Sequence, residues 1–220
     1  MQYIINLTKR ASLNIENQML YESIYSNVLD TFRSLVASVQ VRDHYTEEHC
    51  SRVADLSVKI AKEMNRSGRE IESLKIAGML HDVGKIAIPD NILLKPGKLT
   101  FAEFGVIKTH SEVGERILKP ILLFDEERNI ILHHHEKYDG TGYPSKLKKM
   151  KIPIGARIMA VADAFDAMVY GRPYRERVSV KDALEEIKKY SGTQFDPVIV
   201  KSLIKILHNK KLKKYLNLTH

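Results

Sequence analysis

Apolar residues recur three and four positions apart from Ile15 to Val41, at Met19, Leu20, Ile24, Val28, Leu29, Phe32, Leu35, Val36 and Val39. Side chains so spaced share one helical face, so the pattern predicts an amphipathic helix. Arg42 to Thr46 interrupts it, and Thr46 is placed to cap a second helix carrying His49, Val53, Leu56, Ile60 and Met64, closed by Gly68. A third helix is predicted from about Arg69 into IAGMLHDVGKIAIPD (76–90), stopping near Gly84. The prolines and glycine of residues 86–100 (Pro89, Pro96, Gly97) predict an ordered loop, after which Thr100 and Glu103 form a capping box. The helix begun at Phe101 carries His110 towards its middle, and Pro120 ends or kinks the next turn. Asp125 is placed to cap a helix that runs through Ile130, Ile131 and Leu132 into His133, His134 and His135. After the polar loop YDGTGYPSKLKKMKIP (138–153), helical spacing returns from Ile154 to Tyr170. Ser179 with Asp182 opens a helix ending at Gly192, and Asp196-Pro197 opens the last one. No alternating strand pattern intervenes, so the expected fold is an all-α bundle.

Residues 76–90 are where chemistry enters this pattern. Ile76, Ala77, Met79 and Leu80 favour burial, yet His81 and Asp82 come at once. An imidazole and a carboxylate are costly to bury unless paired or bound to metal, and a metal accounts for both. Lys85 lies three and four residues on, where it could meet a bound anion. At 220 residues, 44% hydrophobic and 28% charged, the chain can bury the core of one domain with a short appended segment. The single cysteine, Cys50, excludes an intramolecular disulfide and any Cys-rich zinc cluster, leaving histidine and carboxylate as ligands. The net charge of +8 sits largely in the tail KKLKKYL (210–216), a solvated helix face rather than a groove for a nucleic acid polymer, and there is no Trp. The window Ile152 to Val169 is broken by Arg157, Asp163 and Asp166, so no membrane span is expected. The first residues lack the basic-then-apolar order of a secretory signal, and the expected location is the cytoplasm.

Laid end to end, the metal candidates are His49, His81, Asp82, His110, His134, His135 and Asp163, which include five of the nine histidines. Histidines on separate apolar helices can converge in a bundle core. A nitrogen-rich set with two carboxylates suits iron, manganese or zinc rather than magnesium or calcium. Seven ligands exceed the needs of one ion, and paired ions about 3.5 to 4 Å apart catalyse in-line displacement at phosphorus. Asp82 is the expected bridge, a bridging hydroxide the expected nucleophile, and Lys85 the group that neutralises developing charge. Asp166, three residues after Asp163, is expected to buttress the site rather than ligate.

The order RD-x-YT-x-x-H (42–49), LHDVGK-x-x-IPD (80–90), KPGKLT (95–100), His110 with Gly114, HHEKYDGTGYP (134–144), ARIMAVADAFDAM (156–168), RPYR (172–175) and FDP (195–197) resembles the HD-GYP domain family, over residues 30 to 208. That resemblance implies a helical HD-superfamily bundle at 30–220, preceded by an N-terminal helical segment at 1–29 that serves docking or dimerisation. It implies a metal-dependent phosphodiesterase hydrolysing cyclic di-GMP to pGpG and possibly GMP, with the same seven residues as ligands. Catalytic roles fall on Asp82 and Lys85, with Lys85 on the substrate phosphate. Gly142, Tyr143, Pro144, Arg172 and Arg175 line the implied dinucleotide site; His133 lies outside the motif and is read as structural. Two ions, iron or manganese, are expected rather than three, because Tyr45 stands where some members carry a third-metal glutamate. Cys50 comes after His49 where the family often has serine. Two alternatives stay open: an HD hydrolase for another dinucleotide such as mixed cyclic GMP-AMP, and a catalytically silent receptor or partner-binding module.

Overall fold

A computed structural model describes residues 1–42, 46–121, 125–171 and 177–208. Among them the elements are α1 (Gln2–Arg42), α2 (Thr46–Glu63), α3 (Gly68–Leu80), α4 (Asp90–Leu93), α5 (Phe101–Lys108), α6 (His110–Leu118), α7 (Asp125–His133), α8 (Ile154–Val169), α9 (Val180–Lys189) and α10 (Pro197–His208), with 3-10 turns at Val83–Ala87 and Lys149–Lys151. None of the described residues forms a named strand, as the periodicity predicts. No described helix is long and apolar enough to cross a membrane. The tail 210–216, Tyr45, Arg172 and Arg175 lie outside the described residues.

The core is built on α2, which packs against α3 and α8, while α7 closes on α3 and α6, and α9 and α10 cover α8. Val53, Ile60, Leu74, Ala77, Ile131, Met159, Val161, Ile187 and Leu203 are fully or almost fully buried there. Helix α1 reaches further towards the N-terminus than the predicted start at Ile15. Its second half fits the expected pattern: Phe32 and Val36 are buried, and Tyr25, Val28, Leu29 and Leu35 pack beside them. Its first half does not, for Ile4, Leu7, Leu13, Ile15, Met19 and Leu20 are all exposed.

Three boundaries differ from the sequence expectation, each for a local reason. Gly68 opens α3 instead of closing α2. Asn65, at φ 53°, already ends α2: Arg66 N–H donates to the Ala61 carbonyl and Asn65 N–H to that of Lys62, a Schellman closure. Ser67 and Glu70 then form a reciprocal capping box for α3. The helix predicted to carry His110 in its middle breaks at Thr109, whose hydroxyl and amide both donate to the Val106 carbonyl (2.8 and 3.1 Å), so His110 begins α6. Helix α3 ends at Leu80 rather than near Gly84. His81 and Asp82 form the turn into the 3-10 segment, and the predicted loop after it contains the short α4. The capping box at Thr100 and Glu103 and the Ser179 cap form as predicted.

Asp196 does more than cap α10. Its Oδ1 accepts from Val198 N–H (2.8 Å), and its Oδ2 accepts from Arg157 Nη1 (2.5 Å), tying α10 to α8 in the core. Arg157 is 8% exposed and Asp196 3%, so removing the carboxylate strands a buried guanidinium. Asp196→Ala is therefore expected to lose about 3 to 5 kcal/mol of stability, read as a lower urea midpoint at unchanged slope.

Candidate metal centre and substrate cleft

The seven ligand candidates come from five places in the chain and meet at one end of the bundle. His49 rises from α2, His81 and Asp82 from the turn after α3, His110 from the first residue of α6, His134 and His135 from the turn after α7, and Asp163 from α8. Three sets of donor atoms lie within 4.8 Å of one another: His110, His134 and His135; His49, His81 and Asp163; and Cys50, His81 and Asp82. Asp82 stands between the first two sets, with Oδ2 3.5 Å from His81 Nε2 and Oδ1 3.8 Å from His110 Nε2.

The helix ends set the orientation of the imidazoles. His81, His110 and His134 each donate Nδ1–H to the carbonyl three residues earlier, Gly78 (2.8 Å), Ile107 (2.7 Å) and Ile131 (2.6 Å). A carbonyl only accepts, so Nδ1 carries the hydrogen and the Nε2 lone pair faces the centre of the cluster. His110 Nε2 and His134 Nε2 are 3.4 Å apart, and the His135 ring lies 3.9 Å from that of His134 and 4.9 Å from that of Tyr143. His49 differs: its Nδ1–H donates to Asp166 Oδ2 (2.7 Å), and its Nε2 is 3.2 Å from Asp163 Oδ1.

Charge is distributed to match. Burial alone would raise Asp82, but Lys85 and the surrounding His81, His110 and His49 hold it well below the usual carboxylate range. Burial, reinforced by His81 and His110, pushes His134 down to about 3, and burial drives His135 well below its ordinary value. Both lone pairs are thus free of protons at neutral pH. Burial also works against charge on His49, yet the hydrogen bonds to Asp163 and Asp166 lift it to about 9. The unprotonated nitrogens of His134 and His135 beside buried carboxylates fit a transition-metal centre, where a bound cation would take the place of the Nε2 proton of His49.

On a 3-10 turn residues three apart eclipse, and Lys85 Nζ accordingly donates to Asp82 Oδ2 (2.7 Å). Gly84 lets that turn lie on α6, since a Cβ there would run into the His110 carbonyl and the Gly114 amide. Cys50 is 3% exposed and its thiol is pushed up by burial, so it is held protonated beside His81 and Asp82. His133 is absent from the three donor sets; its Nδ1 is 3.7 Å from Glu136 Oε1.

A cleft of about 280 Å³, partly open to solvent, lies over the cluster and is lined by Asp82, Lys85, His110, His134, His135, Asp163 and Tyr143. Phe104, Glu136, Lys137 and Gln194 also line it, and sequence reasoning missed them. Lys137 sits inside the quoted HHEKYDGTGYP motif, whereas Gln194 arrives only because Tyr138 and Asp139 N–H donate to the Gln194 and Thr193 carbonyls. The Tyr143 ring faces His135 on one side and has Lys108 Nζ 5.4 Å from its centroid.

Glu136, 3% exposed, pins this loop by accepting from Ser145 N–H (2.7 Å) and Leu147 N–H (3.1 Å). Gly142 lets the loop fold back on itself, because a Cβ there would collide with the backbone of Glu136 and Lys137. Glu136→Ala should free those two amides. Their hydrogen exchange is expected to speed up at least tenfold while amides in α2 and α3 keep their protection.

Comparison with known proteins agrees with this geometry. The HD domain family matches residues 28–199. A "Cyclic di-GMP phosphodiesterase" of Thermotoga maritima is 44% identical over 190 residues, covering 84% of this chain and 50% of that protein. The "Cyclic di-GMP phosphodiesterase response regulator RpfG" of Xanthomonas campestris pv. campestris is 37% identical over 201 residues, covering 90% and 53%. The chain thus spans about half the length of the curated relatives it matches. In fold, it resembles the crystal structure of a cyclic GMP-AMP specific phosphodiesterase from Vibrio cholerae, with a TM-score of 0.68 over 87% of this chain and 51% of that one, at 20% identity. Motif order, helical architecture and the clustered His-Asp side chains therefore converge on one conclusion: the chain belongs to the HD domain family, as a member of its HD-GYP type.

Proposed function

We propose that this chain hydrolyses cyclic di-GMP at a two-metal centre, giving pGpG and, by a second cleavage, GMP. The observation that carries the reading is the buried cluster of five histidines, Asp82 and Asp163 opening on a cleft that holds Lys85. His49, His81 and Asp163 would hold one ion and His110, His134 and His135 the other, with Asp82, which lies between the two sets, as the group that would be shared. Iron or manganese suits this donor set. When bound, such ions supply Lewis acidity at the phosphoryl oxygens and a water acidic enough to attack at neutral pH. The names of the Thermotoga and Xanthomonas relatives support the substrate.

The chain's own residues bind and orient. Lys85 exchanges part of its contact with Asp82 for a non-bridging oxygen of the scissile phosphodiester and offsets the charge that grows there. Tyr143, backed by the His135 ring, offers a face or hydroxyl to a base, and Gly142 and Pro144 set the shape of that wall. Lys137 adds a cation to the cleft. Water adds to phosphorus, the 3′-oxygen leaves with a proton, and the linear dinucleotide results. Arg172 and Arg175 keep their proposed substrate role from the family motif. A cytoplasmic setting is part of this proposal. The exposed apolar side chains early in α1 support the reading of residues 1–29 as a docking or dimerisation segment.

The Vibrio cholerae protein of similar fold, named as a cyclic GMP-AMP specific phosphodiesterase, keeps the mixed dinucleotide as the second substrate reading. Product analysis with both compounds on iron- and manganese-loaded protein separates them: pGpG and GMP from cyclic di-GMP are expected. Cleavage of the mixed compound alone would overturn the substrate assignment, and tight binding without product would favour a receptor. Asp82→Ala should lose both bound metal and activity. Lys85→Ala should keep two ions per chain and lose rate by 100-fold or more, about 3 kcal/mol of transition-state stabilisation; metal loss in that variant would refute its role.

A further inference from the structure

We propose that Arg52 is a positioning residue that acts through Asp166 and His49 to make the two halves of the metal centre unequal. The inference rests on the two-metal reading above. His49 and Arg52 lie three apart on α2 and so share a face. Arg52 forks onto Asp166, with Nε–H donating to Oδ1 (2.7 Å) and Nη2–H to Oδ2 (3.1 Å). That same Oδ2 accepts Nδ1–H of His49 (2.7 Å). Nη1–H donates to Glu48 (3.2 Å), and the Tyr170 ring covers the guanidinium at 3.9 Å.

The contrast with three of the other imidazoles is chemical. His81, His110 and His134 lean on neutral carbonyls, whereas His49 leans on a carboxylate that is 2% exposed. A carboxylate acceptor draws the Nδ1 hydrogen more strongly, which raises electron density at Nε2 and makes His49 a better donor. An isolated buried carboxylate would be costly, and the fork from Arg52 supplies both its counter-charge and its orientation. Arg52 does not line the cleft, and its fork on Asp166 is the contact that links it to His49. The ion of the His49, His81 and Asp163 set is therefore held tighter than that of the His110, His134 and His135 set, and Arg52 sustains the difference.

Manganese titration of the full chain, with chelator competition and free Mn(II) counted by electron paramagnetic resonance, tests this without turnover. Wild type should bind two ions in two distinct steps. Arg52→Met, which keeps the stem under Tyr170, should weaken the tighter step by about 10 to 100-fold and leave the weaker one unchanged. Arg52→Lys, which keeps the charge and loses the fork, should fall between them, and it carries the test if Arg52→Met fails to fold. Equal steps in wild type, unchanged affinities in the variants, or equal loss at both steps would overturn the inference while the two-metal reading stands. A wild-type chain that binds no manganese or iron would overturn both.

Discussion

The hydrogen bonds made by Nδ1 of His49, His81, His110 and His134 are the constraint on which the centre depends. An imidazole in a helical core has two nitrogens and must satisfy one of them with protein if the other is to be kept for a ligand. Helix ends solve this economically. At a C-terminus the last carbonyls lack intrahelical partners, and His81 and His134 each lie just past a helix and turn back onto one of them. His110 does the same at the break between α5 and α6. Two of these terminations, after α3 and between α5 and α6, depart from the sequence expectation, and all three present lone pairs.

The same logic explains why the turns carry the tightest packing. Gly84 admits the turn after α3 to the backbone of α6, which brings Asp82 between His81 and His110. Gly142 admits the loop after α7 to its own beginning, and Glu136 holds it there by two amide hydrogen bonds. One side of the cleft is therefore lined by imidazole and carboxylate, and the other is a loop whose position is set by a buried glutamate. Loop residues can carry specificity because the scaffold beneath them leaves little freedom.

Helix α1 obeys a different rule. Its second half buries Phe32 and Val36 in the core, while the first half exposes apolar side chains on more than one face. Ordinary surface helices confine such residues to one stripe. The helix as a whole packs against α2 and α3.

Much was legible without coordinates. Periodicity determined the helical class, the caps at Ser179 and Thr100 set two helix starts within a residue, and the motif order named the seven cluster residues that the fold brings together. Local chemistry suffices for these, because a cap or a repeat acts over about four residues. Tertiary structure alone decided which groups touch across long separations. Asp166 meets His49 and Arg52 from more than a hundred residues away, Gln194 reaches the cleft through a backbone pairing with Tyr138, and Asp196 holds Arg157 in the core. Nor did spacing reveal that His81 and Asp82 leave the helix before they act. An i to i+4 rule presumes a continuous helix, whereas packing against α6 draws the chain into a tighter turn and thereby sets Lys85 directly over Asp82.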